Sequence, residues 1–140
     1  MENKRSVIFI SVPYSKNPSR GEELSYYAGL FVRSLDKIPF SPVFNFENYY
    51  DNGNEYDAVI KDCVEMLKRC DEVLFIGDAD LSKGQKIELE ATSKVGLKFY
   101  YINADDLFEL FHISNPCFST KESQTKEVFF AEGNKNIREY

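Results

Sequence analysis

Short apolar runs that are continuous rather than alternating most narrow what this chain can fold into. Val7-Ile8-Phe9-Ile10, Val73-Leu74-Phe75-Ile76 and Phe99-Tyr100-Tyr101-Ile102 read as strands covered on both faces, the pattern of a parallel sheet buried under helices. A sheet with one wet face would alternate apolar and polar residues instead. Between the runs stand segments of helical period. Leu24, Tyr27, Ala28, Phe31 and Leu35 mark a helix over about 22–35, and Tyr56, Val59, Ile60, Cys63, Met66, Leu67 and Cys70 mark the next. A second extended piece is expected over 42–46, a helix over 83–95 closed by Gly96, and a short helix around 104–111.

Strands alternating with helices give an α/β fold, a Rossmann-like three-layer sandwich with a mainly parallel four- or five-stranded sheet. The 140 residues suffice for one domain with its own core. That domain is expected over residues 1–114. Residues 115–140 then form a C-terminal extension, polar except for Val128-Phe129-Phe130-Ala131, a candidate edge strand or oligomerisation arm. The formal charge of −6, with no basic stretch beyond Lys4 and Arg5, argues against a nucleic-acid polymer as partner. Cys63, Cys70 and Cys117 are odd in number, lie in no close-spaced pair and have His112 as the chain's one histidine, so neither a disulfide framework nor a metal site is expected. A reducing, cytoplasmic setting follows. The first apolar run is too short for a signal segment or a bilayer span, so no membrane partner is expected.

In such a sheet a ligand lies beyond the carboxyl ends of the strands, which singles out residues 12–21 and 77–85. The second loop leads through Asp80 into Ser82-Lys83-Gly84-Gln85-Lys86-Ile87-Glu88 and sets a carboxylate in the first turns of a helix. There the helix dipole favours the ionised carboxylate, the form that attacks or stabilises an electron-poor sugar carbon. Gly84 lets a ligand approach the backbone. Ser82 and Gln85 also fit a capping box, with Glu88 a plain helix residue, and that reading stands beside the first. In the first loop Tyr14, Ser15, Arg20 and Gly21 offer hydroxyls, a guanidinium and a glycine at a helix start, suited to a sugar or phosphate. Ser19 and Glu22 equally fit a second capping box.

The order strand, Pro13-Tyr14-Ser15 loop, helix, then Arg69-Cys70-Asp71-Glu72-Val73-Leu74-Phe75-Ile76-Gly77 and Ser82-x-Gly84-x-x-x-Glu88 resembles the nucleoside 2-deoxyribosyltransferase-like superfamily. The chain looks closer to its uncharacterised bacterial and phage branches than to its proven enzymes. The resemblance implies that Glu88 is the nucleophile toward a deoxyribosyl carbon and that Ser82 and Gly84 contact the sugar or its phosphate. It implies a small nucleoside or nucleotide as partner, no cofactor, and a homo-oligomer.

Two positions depart from the enzymes' pattern. Where they carry an aspartate that orients or protonates the leaving base, this chain has Cys63, with Asp62 one residue earlier and about 100° away around a helix. Where they carry a tyrosine in the first strand, it has Ile8, leaving Tyr14 as the substitute. Asp62 is therefore the candidate acid, and Asp71 reads as structural. Two functions remain open: N-glycosidic chemistry, as hydrolase or transferase, and a module that holds a nucleotide-like ligand without turning it over. His112 reads as a packed or solvent-edge residue, and Tyr49 or Tyr50 is a candidate for stacking on a base.

Overall fold

The computed structural model describes residues 4–51, 54–78, 80–112 and 137–139. Strands β1 (Val7–Ser11), β2 (Ile38–Phe40), β3 (Glu72–Gly77), β4 (Lys98–Asn103) and β5 (Ile137–Glu139) form one sheet in the order β2-β1-β3-β4-β5. The first four are parallel, and β5 runs antiparallel along β4. Helices α1 (Pro18–Ser34), α2 (Pro42–Phe46), α3 (Tyr56–Leu67), α4 (Lys83–Val95) and α5 (Ala104–Leu110) supply the connections.

Strand parity sorts the core into two layers. Ile8, Ile10, Leu74 and Ile76 point to one face, against Leu24, Ala28 and Phe31 of α1 and Leu107 and Phe108 of α5. Phe9, Val73 and Phe75 point to the other, against Cys63 and Leu67 of α3 and the half-buried Leu89 of α4. The three-layer expectation is met.

Two local expectations are corrected. Residues 42–46 are helical rather than extended, because Pro42 sits at the first turn with φ already set and the Ser41 hydroxyl accepts from the Phe44 N–H. The strand instead occupies Ile38–Phe40, where Pro39 is tolerated because β2 is an edge. Helix α1 begins at Pro18 rather than near residue 22, capped by the Asn17 side chain accepting from the Arg20 N–H, so Ser19 and Glu22 make no capping box. Gly96 does close α4, in the left-handed conformation at φ 85°. Asp71 is structural: its Oδ2 accepts from the Val7 N–H at 2.8 Å and its own N–H donates to the Val7 carbonyl at 2.9 Å, tying β3 to β1. Val128 to Ala131 and Cys117 lie outside the described residues. Cys63 and Cys70 are free thiols in the core.

Candidate active site

The sheet order reverses between β1 and β3, so the chain leaves their carboxyl ends in opposite directions and a crevice opens there. A cavity of ≈ 610 Å³ occupies that position. Glu88 lies in its wall, on the second turn of α4. Ser82 caps this helix in a complete capping box: its hydroxyl accepts from the Gln85 N–H, and the Gln85 side chain accepts from the Ser82 N–H at 2.9 Å. Gln85 does more. Its amide nitrogen donates to the carbonyls of Ser11 at 3.0 Å and Ile76 at 2.7 Å, so one buried side chain fastens the start of α4 to the ends of both β1 and β3.

Ser11 ends β1 with the same parity as Phe9, which aims its side chain toward α3 and α4. Its hydroxyl donates to Glu88 Oε1 at 2.6 Å. Burial pushes the Glu88 carboxyl up to about 7, against a smaller downward pull from this hydrogen bond. The dipole-stabilised carboxylate expected from the sequence is therefore corrected: desolvation outweighs the helix start. Such a group is divided between its two protonation states near neutral pH.

The structure brings most of the predicted residues together. Ser82, Gly84, Tyr14, Ser15 and Arg20 line the same cavity as Glu88. The Tyr14 hydroxyl donates to Glu47 at 3.0 Å, and it is Ser11 that donates to the Glu88 carboxylate. Arg20 is pinned by Asp78 at 2.9 Å, with its guanidinium 5.7 Å from the centre of the Phe108 ring. Gly21 lies inside α1 rather than in the loop and backs the Tyr14 ring, where a Cβ would come within 2.7 Å of Cδ1. The open side of Gly84 faces Ile60 and Tyr56 of α3, 3.1 and 3.3 Å from where a Cβ would sit. Asp80 is exposed and off the cavity wall, as is His112 at the end of α5. Asp62 is off the wall too. Its carboxylate accepts from the Tyr50 hydroxyl, and Tyr50 is the residue that faces the cavity.

Of the other wall residues, sequence singled out Tyr50 as a stacking candidate and Cys63 as a departure from the enzymes' pattern, but not Ser11 or Tyr56. For Ser11 the strand parity carried the signal, since a residue two past a buried Phe9 shares its face. Cys63 stands close to Glu88, and burial, then the Glu88 charge, pushes its thiol up to about 12, so it stays protonated and inert. Among the described residues no cluster of His, Cys, Asp or Glu is arranged to hold a metal, and no helix is long and apolar enough to cross a membrane.

Residues 31–101, just over half of the chain, match the family model described as a domain of unknown function, DUF4406. The chain belongs to the DUF4406 family. No curated protein matches it in sequence. Among solved structures this DUF4406 protein is similar to a 2-desoxiribosyltransferase from Leishmania mexicana, at 17% identity and a TM-score of 0.55, over 70% of this chain and 64% of that one. It is also similar to a 2-deoxyribosyltransferase from Bacillus psychrosaccharolyticus, at 26% identity and a TM-score of 0.56, over 70% of this chain and 72% of that one. The chain thus spans less than two thirds of the Leishmania protein's length. Both likenesses bear out the three-layer fold, and the one to the Bacillus protein bears out the resemblance to the nucleoside 2-deoxyribosyltransferase-like superfamily.

Proposed function

We propose that this protein breaks the N-glycosidic bond of a small nucleoside or nucleotide, with Glu88 as the nucleophile. The observation that carries the proposal is a buried carboxylate, hydrogen-bonded by Ser11 and poised near neutrality, in the wall of a cavity at the switch point of the sheet. The Glu88 carboxylate attacks C1′ of the sugar, and the C1′–N bond breaks with its electron pair passing to the base. The base takes up a proton, and the sugar is left as an ester of Glu88. Water or a second base then attacks C1′ and releases the carboxylate, giving hydrolysis or base exchange. Ser82, Gly84, Tyr14, Ser15 and Arg20 would hold the sugar and any 5′-phosphate. Gly21 would support Tyr14 from behind. Asp62, the acid sought in the sequence, acts from behind Tyr50 in this reading, and Asp80 stays at the cavity rim. The protein would work in the cytoplasm as a homo-oligomer, with the domain over 1–114 and residues 115–140 as an extension.

Cys63 favours the second reading, a binding module that senses or sequesters a nucleotide-like ligand. A neutral thiol stands beside Glu88 where the resembling enzymes place an aspartate. Incubation with nucleosides and their 5′-monophosphates, with and without a second free base, separates the two. Base release or exchange that Glu88→Ala abolishes is the expected result. Ligand-induced thermal stabilisation without turnover would replace the enzyme by the binding module.

A further inference from the structure

Tyr50 faces the cavity with its ring edge-on to Phe46, centroids 5.9 Å apart at 81°. Its hydroxyl donates to Asp62 Oδ2. A phenol owns one proton, and a phenol already donating has only oxygen lone pairs left for a further partner. Half-buried Tyr50 shares the wall with the apolar Phe46, Val59 and Ile60, with Cys63 and with Glu47. A polar atom that meets the ligand there discriminates between ligands, because a mismatched group loses the hydrogen bond that a matched one makes. The placement along α3 matters as well. Asp62 and Cys63 are neighbours on that helix, about 100° apart around its axis. Asp62 turns to Tyr50, while Cys63 lies near enough to Glu88 to feel its charge. Tyr50 therefore stands beside the same turn of α3 that borders the nucleophile.

We propose that Tyr50 and Asp62 form a base-selecting pair. The Tyr50 oxygen accepts a hydrogen bond from the exocyclic amino group of a 6-aminopurine or 4-aminopyrimidine nucleoside, and Asp62 sets that polarity by holding the phenol proton. Asp62 is thus a positioning residue that acts through Tyr50. The inference rests on the N-glycosidic reading above and adds the substrate class to it. An exocyclic oxygen in place of the amino group would oppose one acceptor to another.

The test uses matched pairs that differ in that group, adenosine with inosine and cytidine with uridine, each as ribo- and deoxyribonucleoside, read by calorimetric binding and by kcat/KM for base release. The unmodified protein is expected to favour the amino member by roughly 10- to 100-fold. Tyr50→Phe should bring the ratio to near unity while affinity for the oxo member holds. Asp62→Asn, whose amide can donate to the Tyr50 oxygen and free the phenol proton, should raise the oxo member and narrow or reverse the ratio, and Asp62→Glu should restore it. Equal affinity for both members in the unmodified protein, or a preference that survives Tyr50→Phe, would overturn the pair and leave the glycosidic reading standing. Neither binding nor base release from any member would overturn both.

Discussion

Glu88 joins two demands that oppose each other. Burial makes its charge costly, and attack on a sugar carbon requires that charge. With its carboxyl near 7, the ionised fraction grows as pH rises, so the rate of base release should climb through about 7 and level off above it. Ser11→Ala removes the one hydrogen bond that favours the charged form, so the rising limb should move to higher pH and the rate at neutrality should fall. A pH–rate series on both proteins checks this, and an unmoved limb in Ser11→Ala would remove Ser11 from the account. The same desolvation acts on stability. The folded value lies above the ordinary 4.5, so the folded state holds its proton longer than the unfolded chain. The cost of ionisation therefore accumulates from pH 4.5 to about 7 and is complete above. Glu88→Gln keeps an acceptor for Ser11 and carries no charge. It should melt higher than the parent at pH 8, by up to about 3 kcal/mol of stability, and match it at pH 4.5.

Helix α4 is held at its start by one side chain, and that makes Gln85 the element's most sensitive position. Gln85→Ala removes the side-chain donor from the Ser11 and Ile76 carbonyls in the core and strips the cap from Ser82 N. The expected loss is about 3–5 kcal/mol, read as a lowered denaturant midpoint. Helix α1 offers a paired test with glycines of opposite surroundings. Nothing stands within 4 Å of a Cβ at Gly29, so Gly29→Ala should stabilise by about 0.5–1 kcal/mol. At Gly21 the same change drives a methyl to 2.7 Å from the Tyr14 ring and 2.9 Å from the Pro13 carbonyl, and should destabilise by about 1–3 kcal/mol despite the better helix propensity. Equal effects at the two sites would show that propensity, not packing on Tyr14, governs α1. The elements differ in how openly the sequence declared them. β1, β3, β4 and α4 were legible because runs of apolar residues and the Ser82, Gln85 and Gly96 end signals agree with the fold. Pro42 stands in a stretch that reads as extended and Pro18 in one that reads as loop, although each starts a helix through the hydrogen bond of the residue before it. Glu88 stood out through spacing and resemblance. Ser11 and the Tyr50–Asp62 bond did not, because pairings 77 and 12 residues apart depend on how α3 and α4 cross the sheet.

At the scale of the whole molecule, every buried apolar residue among those described lies between Ile8 and Phe111. Both helical layers and the site are built from that stretch. The parallel sheet it forms ends at β4, and the three-residue β5 pairs there, Tyr100 with Glu139, Tyr101 with Arg138 and Ile102 with Ile137. An antiparallel strand at that position covers a row of backbone groups that would otherwise invite another chain. Shortening the protein to residues 1–114 therefore separates two contributions. The core is intact, so the shortened chain should still melt cooperatively and keep its ligand response. The β4 edge is bare, so its amides from Tyr100 to Ile102 should exchange faster with solvent, and the chain should associate more readily as concentration rises. Hydrogen exchange and size-exclusion chromatography read these directly. If the shortened chain fails to fold, residues 115–140 belong to the domain. If it folds but loses a defined oligomer, the extension is the arm that joins subunits rather than a cover for its own sheet.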